Sequence, residues 1–317
     1  MAAWRALYVM ALVSPLVVPV PVVAATQPAA APTVFTVAPG GQPHIPVRIK
    51  AVDLDIRLAL SFDSVLVLNS AAAARAGLKA FPLIGKRTFK SALIPGGEAT
   101  FRFNLFGITP QGLAKSTLPV IWVDKPVADD AEGVLGVSVL KADNVVINLG
   151  AQAPGARVYT LVRPDKGEMM MKVRVGDETI RVALELNSPD TVMNARAAAA
   201  LSNAGLVRRN GTVGFWQPFP KVALPFERLT PMPGATLLGL PLGKPAVRIT
   251  EAQAKDLDAR ARAGTSTADD DDDAFTVTAS RKKGRDPWLL IGRDVLGQCS
   301  RIVFDRPGKT WQLTCAF

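Results

Sequence analysis

The sequence predicts an all-β protein with a few short helices, made of two similar halves. Three observations carry this expectation. Apolar and polar residues alternate in short runs, as in Ala99-Thr100-Phe101-Arg102-Phe103-Asn104-Leu105, which sets phenylalanine and leucine on one face of a strand. Glycine and proline, 25 of each, punctuate these runs. An ordered series of segments occurs twice, over a length too great for a solenoid unit.

The first copy opens with Leu58-Ala59-Leu60-Ser61-Phe62-Asp63-Ser64. Val67-Leu68-Asn69 and an alanine-rich helix follow, ending at Ala76-Gly77-Leu78. It closes with Val134-Leu135-Gly136-Val137-Ser138-Val139-Leu140 and the strand-like Asn144 to Leu149. The second copy opens with Val182-Ala183-Leu184-Glu185-Leu186-Asn187-Ser188. Val192-Met193-Asn194 and another alanine-rich helix lead to Ala204-Gly205-Leu206. Leu290-Ile291-Gly292-Arg293-Asp294-Val295-Leu296 and Ser300 to Asp305 close it. Two such copies imply two lobes, and a cleft between lobes is a common place for a ligand.

The chain begins with a positive, then apolar, stretch to Val23, followed by Ala24-Ala25-Thr26, the pattern of a signal peptide over residues 1–25. Pro15, Pro19 and Pro21 each remove a helical hydrogen bond, which argues against a retained anchor. Residues 26–44 read as a disordered lead-in rich in alanine and proline. About 290 residues remain after the leader, enough for two cores: an N-terminal lobe at 45–155 and a C-terminal lobe at 156–317. Within the second, residues 249–285 read as a charged insertion. A helix is expected over Glu251 to Ala263, ended by Gly264. The five acids Asp269 to Asp273 and the basic run from Arg281 follow, and such runs are usually solvated or disordered. The acids lack the glycine and glutamate spacing of a calcium loop.

Composition narrows the chemistry. The formal net charge is +10. In an exported, periplasmic protein that charge suits solubility and anionic envelope surfaces rather than nucleic acid. No stretch after the leader is long and apolar enough for an integral membrane span. The single histidine, His44, reads as an exposed loop residue and cannot build a multi-histidine metal site. No metal or cofactor is expected. The two cysteines, Cys299 and Cys315, flank the hairpin signal Asp305-Arg306-Pro307-Gly308-Lys309. With a three-residue loop centred on Pro307 they face each other, Asp305 faces Lys309, and a disulfide is expected in an oxidising compartment.

The order of segments in each copy resembles the retropepsin-like and pepsin-like aspartic protease family. That family has a strand ending in Asp-Thr-Gly, a second strand, a short helix ending in Gly-Leu, and a later Leu-Gly-x-Asp-x-Leu segment. The resemblance covers most of residues 45–317. It implies two similar acid-protease-type β-barrel lobes with a cleft between them, and a flap at the hairpin Lys90 to Ala99. Asp-Thr-Gly itself is missing from both copies. Counting back from Asn69, the first catalytic position falls at Leu60, or at Ser61 if the loop is one residue shorter. Counting back from Asn194, the second falls at Glu185. Aspartic proteases need two carboxylates about 3 Å apart sharing a proton. Leucine does not ionise, and serine does not replace a carboxylate in activating water.

The resemblance therefore implies a catalytically inactive protein. Such a protein would bind an extended peptide or protein segment in its cleft, lined by Ser61, Asp63, Ser64, Glu185, Asn187 and Ser188. One alternative is an active aspartic endopeptidase with a rearranged loop using Asp63 and Glu185. Another is a structural envelope protein without a cleft ligand. Asp63 and Asp190 also fit ordinary turn positions. Asp294 stands where the family has a structural aspartate, and Ser138 takes its place in the first copy. Met169, Met170, Met171, Trp122, Phe215 and Trp216 are apolar groove candidates, each equally suited to core packing.

Overall fold

A computed structural model describes residues 31–38, 40–90, 97–165, 168–263 and 286–317. The expected leader, the start of the lead-in, the tip of the hairpin at 91–96 and the charged span 264–285 lie outside them.

The chain is mostly β, with few short helices. Its first copy forms a seven-stranded sheet. The spatial order is Lys86–Lys90, Glu98–Pro110, Ser116–Val123, Leu66–Asn69, Gly133–Gly136, Val52–Ala59 and His44–Ile49. His44–Ile49 also pairs with Glu98–Pro110, closing six of these strands into a barrel. The second copy forms another seven-stranded sheet. Its order is Val207–Phe219, Val222–Pro231, Ala246–Arg248, Val192–Met193, Trp288–Ile291, Glu178–Leu184 and Met171–Val175. Position for position, the two sheets share the sense of every pairing. The strand leading to each candidate site runs parallel to the Leu-Gly or Ile-Gly strand. That strand in turn runs antiparallel to the Val-Leu-Asn or Val-Met-Asn strand.

Helices follow the expected signals. Ser70–Arg75 and Ala195–Asn203 are the alanine-rich pair, and both end at an Ala-Gly-Leu. Asn194 caps the second, its side chain accepting from the Ala197 amide. Glu251–Arg262 starts with a reciprocal capping box between Thr250 and Gln253. Among the described residues no helix is long and apolar enough to cross a membrane.

A third, five-stranded sheet joins the two copies, in the order Thr33–Thr36, Asn144–Asn148, Cys299–Asp305, Thr310–Cys315 and Arg157–Val162. Two expectations are corrected here. The lead-in is not wholly disordered, since Thr33–Thr36 pairs in parallel with Asn144–Asn148. Its Thr-Val-Phe-Thr run has the β-branched and aromatic character that fits a pleated surface. His44 is not in a loop: it begins a strand, with Nδ1 3.0 Å from Asp55 Oδ2.

The disulfide between Cys299 and Cys315 is present, but by a different register. The turn holds four residues, and Asp305 faces Thr310 rather than Lys309. Lys309 adopts φ 54°, and the Gly308 amide donates to Asp305 Oδ1 at 2.8 Å. That turn alone would misalign the cysteines by one residue. A bulge between Cys299 and Arg301 supplies the missing residue and restores their opposition.

Candidate functional site

Period-two alternation builds the floor of the site. Leu58 and Leu60 of the first copy and Leu184 and Leu186 of the second are buried and belong to one hydrophobic core. The residues between them, Arg57, Ala59 and Ser61 in one copy and Glu185 and Asn187 in the other, line one pocket. Its walls are Phe62, Val127, Val134 and Leu290, and Ser188 also lines it. Trp216, Gln217, Pro218 and Phe219 complete it, and the cavity encloses about 230 Å³.

These last residues end the long hairpin of Val207–Phe219 and Val222–Pro231. Its two-residue loop places Pro220 first and Lys221, at φ 62°, second, the arrangement of a type II turn. Trp216 is held against Trp288 with ring centroids 6.2 Å apart. The resemblance had placed a flap at Lys90 to Ala99 in the first copy, whose tip is outside the described residues. The described hairpin that reaches the pocket comes from the second copy.

Strand register corrects the position aligned with Glu185. Leu184 pairs with Ile291, one residue before Gly292, and Leu58 pairs with Leu135, one residue before Gly136. Leu184 is thus equivalent to Leu58, and Glu185 to Ala59. Counting back from Asn69 gave Leu60 because the first loop holds one residue more than the second. Leu60 is in the core, and Ser61 occupies the place of Asn187.

Glu185 is buried, and each of its carboxylate oxygens accepts a hydrogen bond. Ser61 Oγ donates to Glu185 Oε2 at 2.6 Å across the two copies. The Asn187 amide donates to Oε1 at 3.0 Å. The Glu185 amide donates to the Ile291 carbonyl, fixing the strand end. The next carbonyl, on Leu186, accepts from Gln42 Nε2 and Arg293 Nε, both at 2.9 Å. Arg293 also donates to Gly41, tying this loop to the chain before the first barrel. Neither candidate loop uses a left-handed residue; the described non-glycine cases are Lys50, Leu83, Lys221, Leu238 and Lys309. The family's glycine is therefore not required by these loop conformations.

Burial raises the Glu185 carboxyl above the usual carboxylate range, opposed by the hydrogen bonds from Ser61 and Asn187 and by the nearby Arg57 guanidinium. Arg57 is itself held by Asp130 at 2.8 Å. Asp294 is also raised by burial, opposed by hydrogen bonds from Lys244 and Thr191. It bridges Thr191 Oγ1 at 3.0 Å and the Lys244 amide at 2.5 Å, a structural role.

The other candidates separate. Asp63 is exposed, does not line this pocket, and makes no hydrogen bond to Glu185 among the described residues. Ser64 lines a neighbouring pocket with Ser138 and Arg306. Asp190 pairs with Arg228 at 3.1 Å. Met169, Met171 and Trp122 are buried packing residues, whereas Phe215 is exposed and Trp216 lines the site. Residue counting missed Arg57, Ala59 and the tip Gln217 to Phe219. The alternation of Arg57, Ala59 and Ser61 was a usable signal for the first two.

A single buried carboxylate with a raised pKa costs stability as pH climbs through its unfolded value, about 4.3, toward its higher folded value. Below about pH 4 that cost is absent. Glutamine keeps both contacts, accepting from Asn187 and donating to Ser61. Glu185→Gln is therefore expected to be neutral or stabilising at pH 7, with the difference closing by pH 4. Urea unfolding at the two pH values checks this. A loss above about 2 kcal/mol at pH 7 would mean that the charged form is structurally required.

A scan of the sequence against family models finds no match. A comparison with curated proteins finds none either. Among solved structures, the chain is similar to a retropepsin-like aspartic protease from Rickettsia conorii, with 17% identity and a TM-score of 0.25, over 32% of this chain and 80% of that one. It is also similar to EIAV protease complexed with the inhibitor HBY-793, with 21% identity and a TM-score of 0.21, over 30% of this chain and 81% of that one. Both overlaps are partial and loose.

Proposed function

We propose that this chain is an exported, aspartic-protease-like protein that holds an extended peptide or protein segment at the seam of its two sheets without cleaving it. One observation carries the reading: among the described residues that line the pocket there is one carboxyl, Glu185, whose equivalent in the other copy is Ala59 and whose partner is the Ser61 hydroxyl. A shared-proton dyad needs a second acid at that point. Asp63, the acid that a rearranged enzyme would use, faces solvent.

Binding is supported by the shape and chemistry of the seam. A cavity of about 230 Å³ is smaller than a drug-sized site, and suits one or two side chains of a longer segment. Its walls are apolar and its floor is polar, so it can seat an apolar anchor and orient it. The strand Val207–Phe219 lies at the edge of its sheet, where an extended segment can add backbone hydrogen bonds. The open cavity favours a ligand over a purely structural role. Export is supported by the leader-like start and by a disulfide, which persists in oxidising compartments.

The test uses fluorescently labelled fragments of unfolded casein as the probe, followed by anisotropy. Saturable binding is expected, with Phe219→Ala weakening it at least roughly fivefold as a truncated anchor. Absence of saturable binding, or indifference to Phe219→Ala, would overturn the peptide-holding reading.

A further inference from the structure

A second hollow adjoins the pocket at the seam. It encloses about 380 Å³ and shares Arg57, Asn187, Gln217 and Phe219 with the first. It is also lined by Asp129 and Asp130 from the first copy and by Phe215 from the second.

The two hollows differ in chemistry. In the first, the Glu185 oxygens already accept from Ser61 and Asn187, and the walls are apolar. In the second, Asp130 is occupied: it holds Arg57 at 2.8 Å and lies 3.6 Å from His44 Nε2. Asp129 is exposed and forms no hydrogen bond or salt bridge among the described residues. Asp130 thus matches the Arg57 charge, and Asp129 is left as the uncompensated charge of the hollow. Lys221, at the hairpin tip, does not line it.

The aromatic rings add an independent feature. Phe215 is 65% exposed and Phe219 37%. Among the described residues neither ring stacks on another or carries a cation, whereas Phe106, Phe226 and Phe304 each carry one. Open rings beside a free carboxylate suit a partner that is apolar along its stem and cationic at its end. Lysine and arginine have this form: the stem packs on a ring, and the charge reaches a ring face or the carboxylate. An acidic side chain there would meet two carboxylates, and a purely apolar one would desolvate Asp129 without pairing it.

We propose that the second hollow is a subsite for a lysine or arginine side chain, paired with Asp129 and packed on Phe215 and Phe219. The subsite rests on the reading that the seam holds an extended segment, and it names the class of that segment: an apolar residue in the first hollow with a basic neighbour in the second. The shared wall lets one segment fill both. The net charge of +10 opposes a basic ligand at long range, so a preference for one reports a local contact.

The test compares two fluorescein-labelled peptides by anisotropy against the full chain. Each has a central leucine; one carries a lysine and an arginine on either side, and its twin carries glutamine at those positions. The basic peptide should bind about fivefold more tightly, from one ion pair and one cation–ring contact at an exposed site. Asp129→Asn with Phe215→Leu should remove that preference and leave the affinity for the glutamine peptide unchanged, because neither residue lines the first hollow. Leucine keeps an apolar side chain at 215 and deletes the ring face. Equal affinity for the two peptides, both weakened by Phe219→Ala, would overturn the subsite and leave the seam reading standing. Binding of neither peptide would overturn the seam reading and the subsite with it. A preference that survives the double variant would also overturn the subsite, and its loss in Glu185→Gln would place the cation in the first hollow instead.

Discussion

Arg209→Leu is expected to lower the unfolding free energy by about 3–5 kcal/mol, the cost of leaving a buried charge without its partner. The charge is Glu227, which is 1% exposed in the hairpin that completes the candidate pocket. Arg209 meets it as a fork, with Nε 3.0 Å from Oε1 and Nη2 2.7 Å from Oε2. The Gly211 amide adds a third donor at 3.1 Å. A register shift between Arg209 and Val213 creates this cradle, and Gly211 at φ 76° turns its amide inward there. Leucine would fill part of the space and remove both charged donors. Replacing both partners, Arg209→Leu with Glu227→Leu, should recover most of the loss, because the carboxylate then needs no compensation. Urea unfolding of the two variants checks the pair. A single-variant loss below about 1 kcal/mol would show that Glu227 is satisfied without Arg209.

Removal of the disulfide is the second large effect. Cys299→Ala with Cys315→Ala should destabilise the fold by roughly 2–4 kcal/mol, the range for a bridge closing a loop of this size. Both cysteines are buried in the sheet that joins the two copies. Losing the bond leaves that sheet to its strand pairing and to the packing of Phe304 against Trp311, whose ring centroids are 5.1 Å apart. The bulge beside Cys299 then has no cross-link to oppose its local disruption of the ladder. Thermal unfolding before and after reduction gives the same comparison without mutation. Identical transitions would mean that the bond adds nothing to a register already fixed by packing.

The sequence made the architecture legible because the fold is repetitive. Alternation and turn residues identified strands, and the doubled order of segments anticipated two sheets with matching strand order. The alanine-rich helices ended where their glycines stood. The cysteine pair was readable from the hairpin between them, although its register was not: a four-residue turn and a one-residue bulge cancel, and neither leaves a distinct composition. The same kind of error displaced the first-copy site position. One extra loop residue moved the count from Ala59 to Leu60, and only pairing against Gly136 restores it. Thr33–Thr36 was hidden by the alanine and proline on either side. The approach of Trp216 to Phe219 to the seam depends on long-range hairpin geometry, which local pattern does not encode.

If the one carboxyl among the described lining residues, Glu185, is paired only with the Ser61 hydroxyl as proposed, the pocket binds without cutting. The direct measurement is mass spectrometry of unfolded casein incubated with the protein from pH 3 to 7, with and without pepstatin, and with Glu185→Gln alongside. The account predicts intact casein throughout, with no difference between wild type and Glu185→Gln. Cleavage that pepstatin blocks and Glu185→Gln abolishes would contradict it, because Glu185 would then be working with an acid that the seam, as described, does not contain.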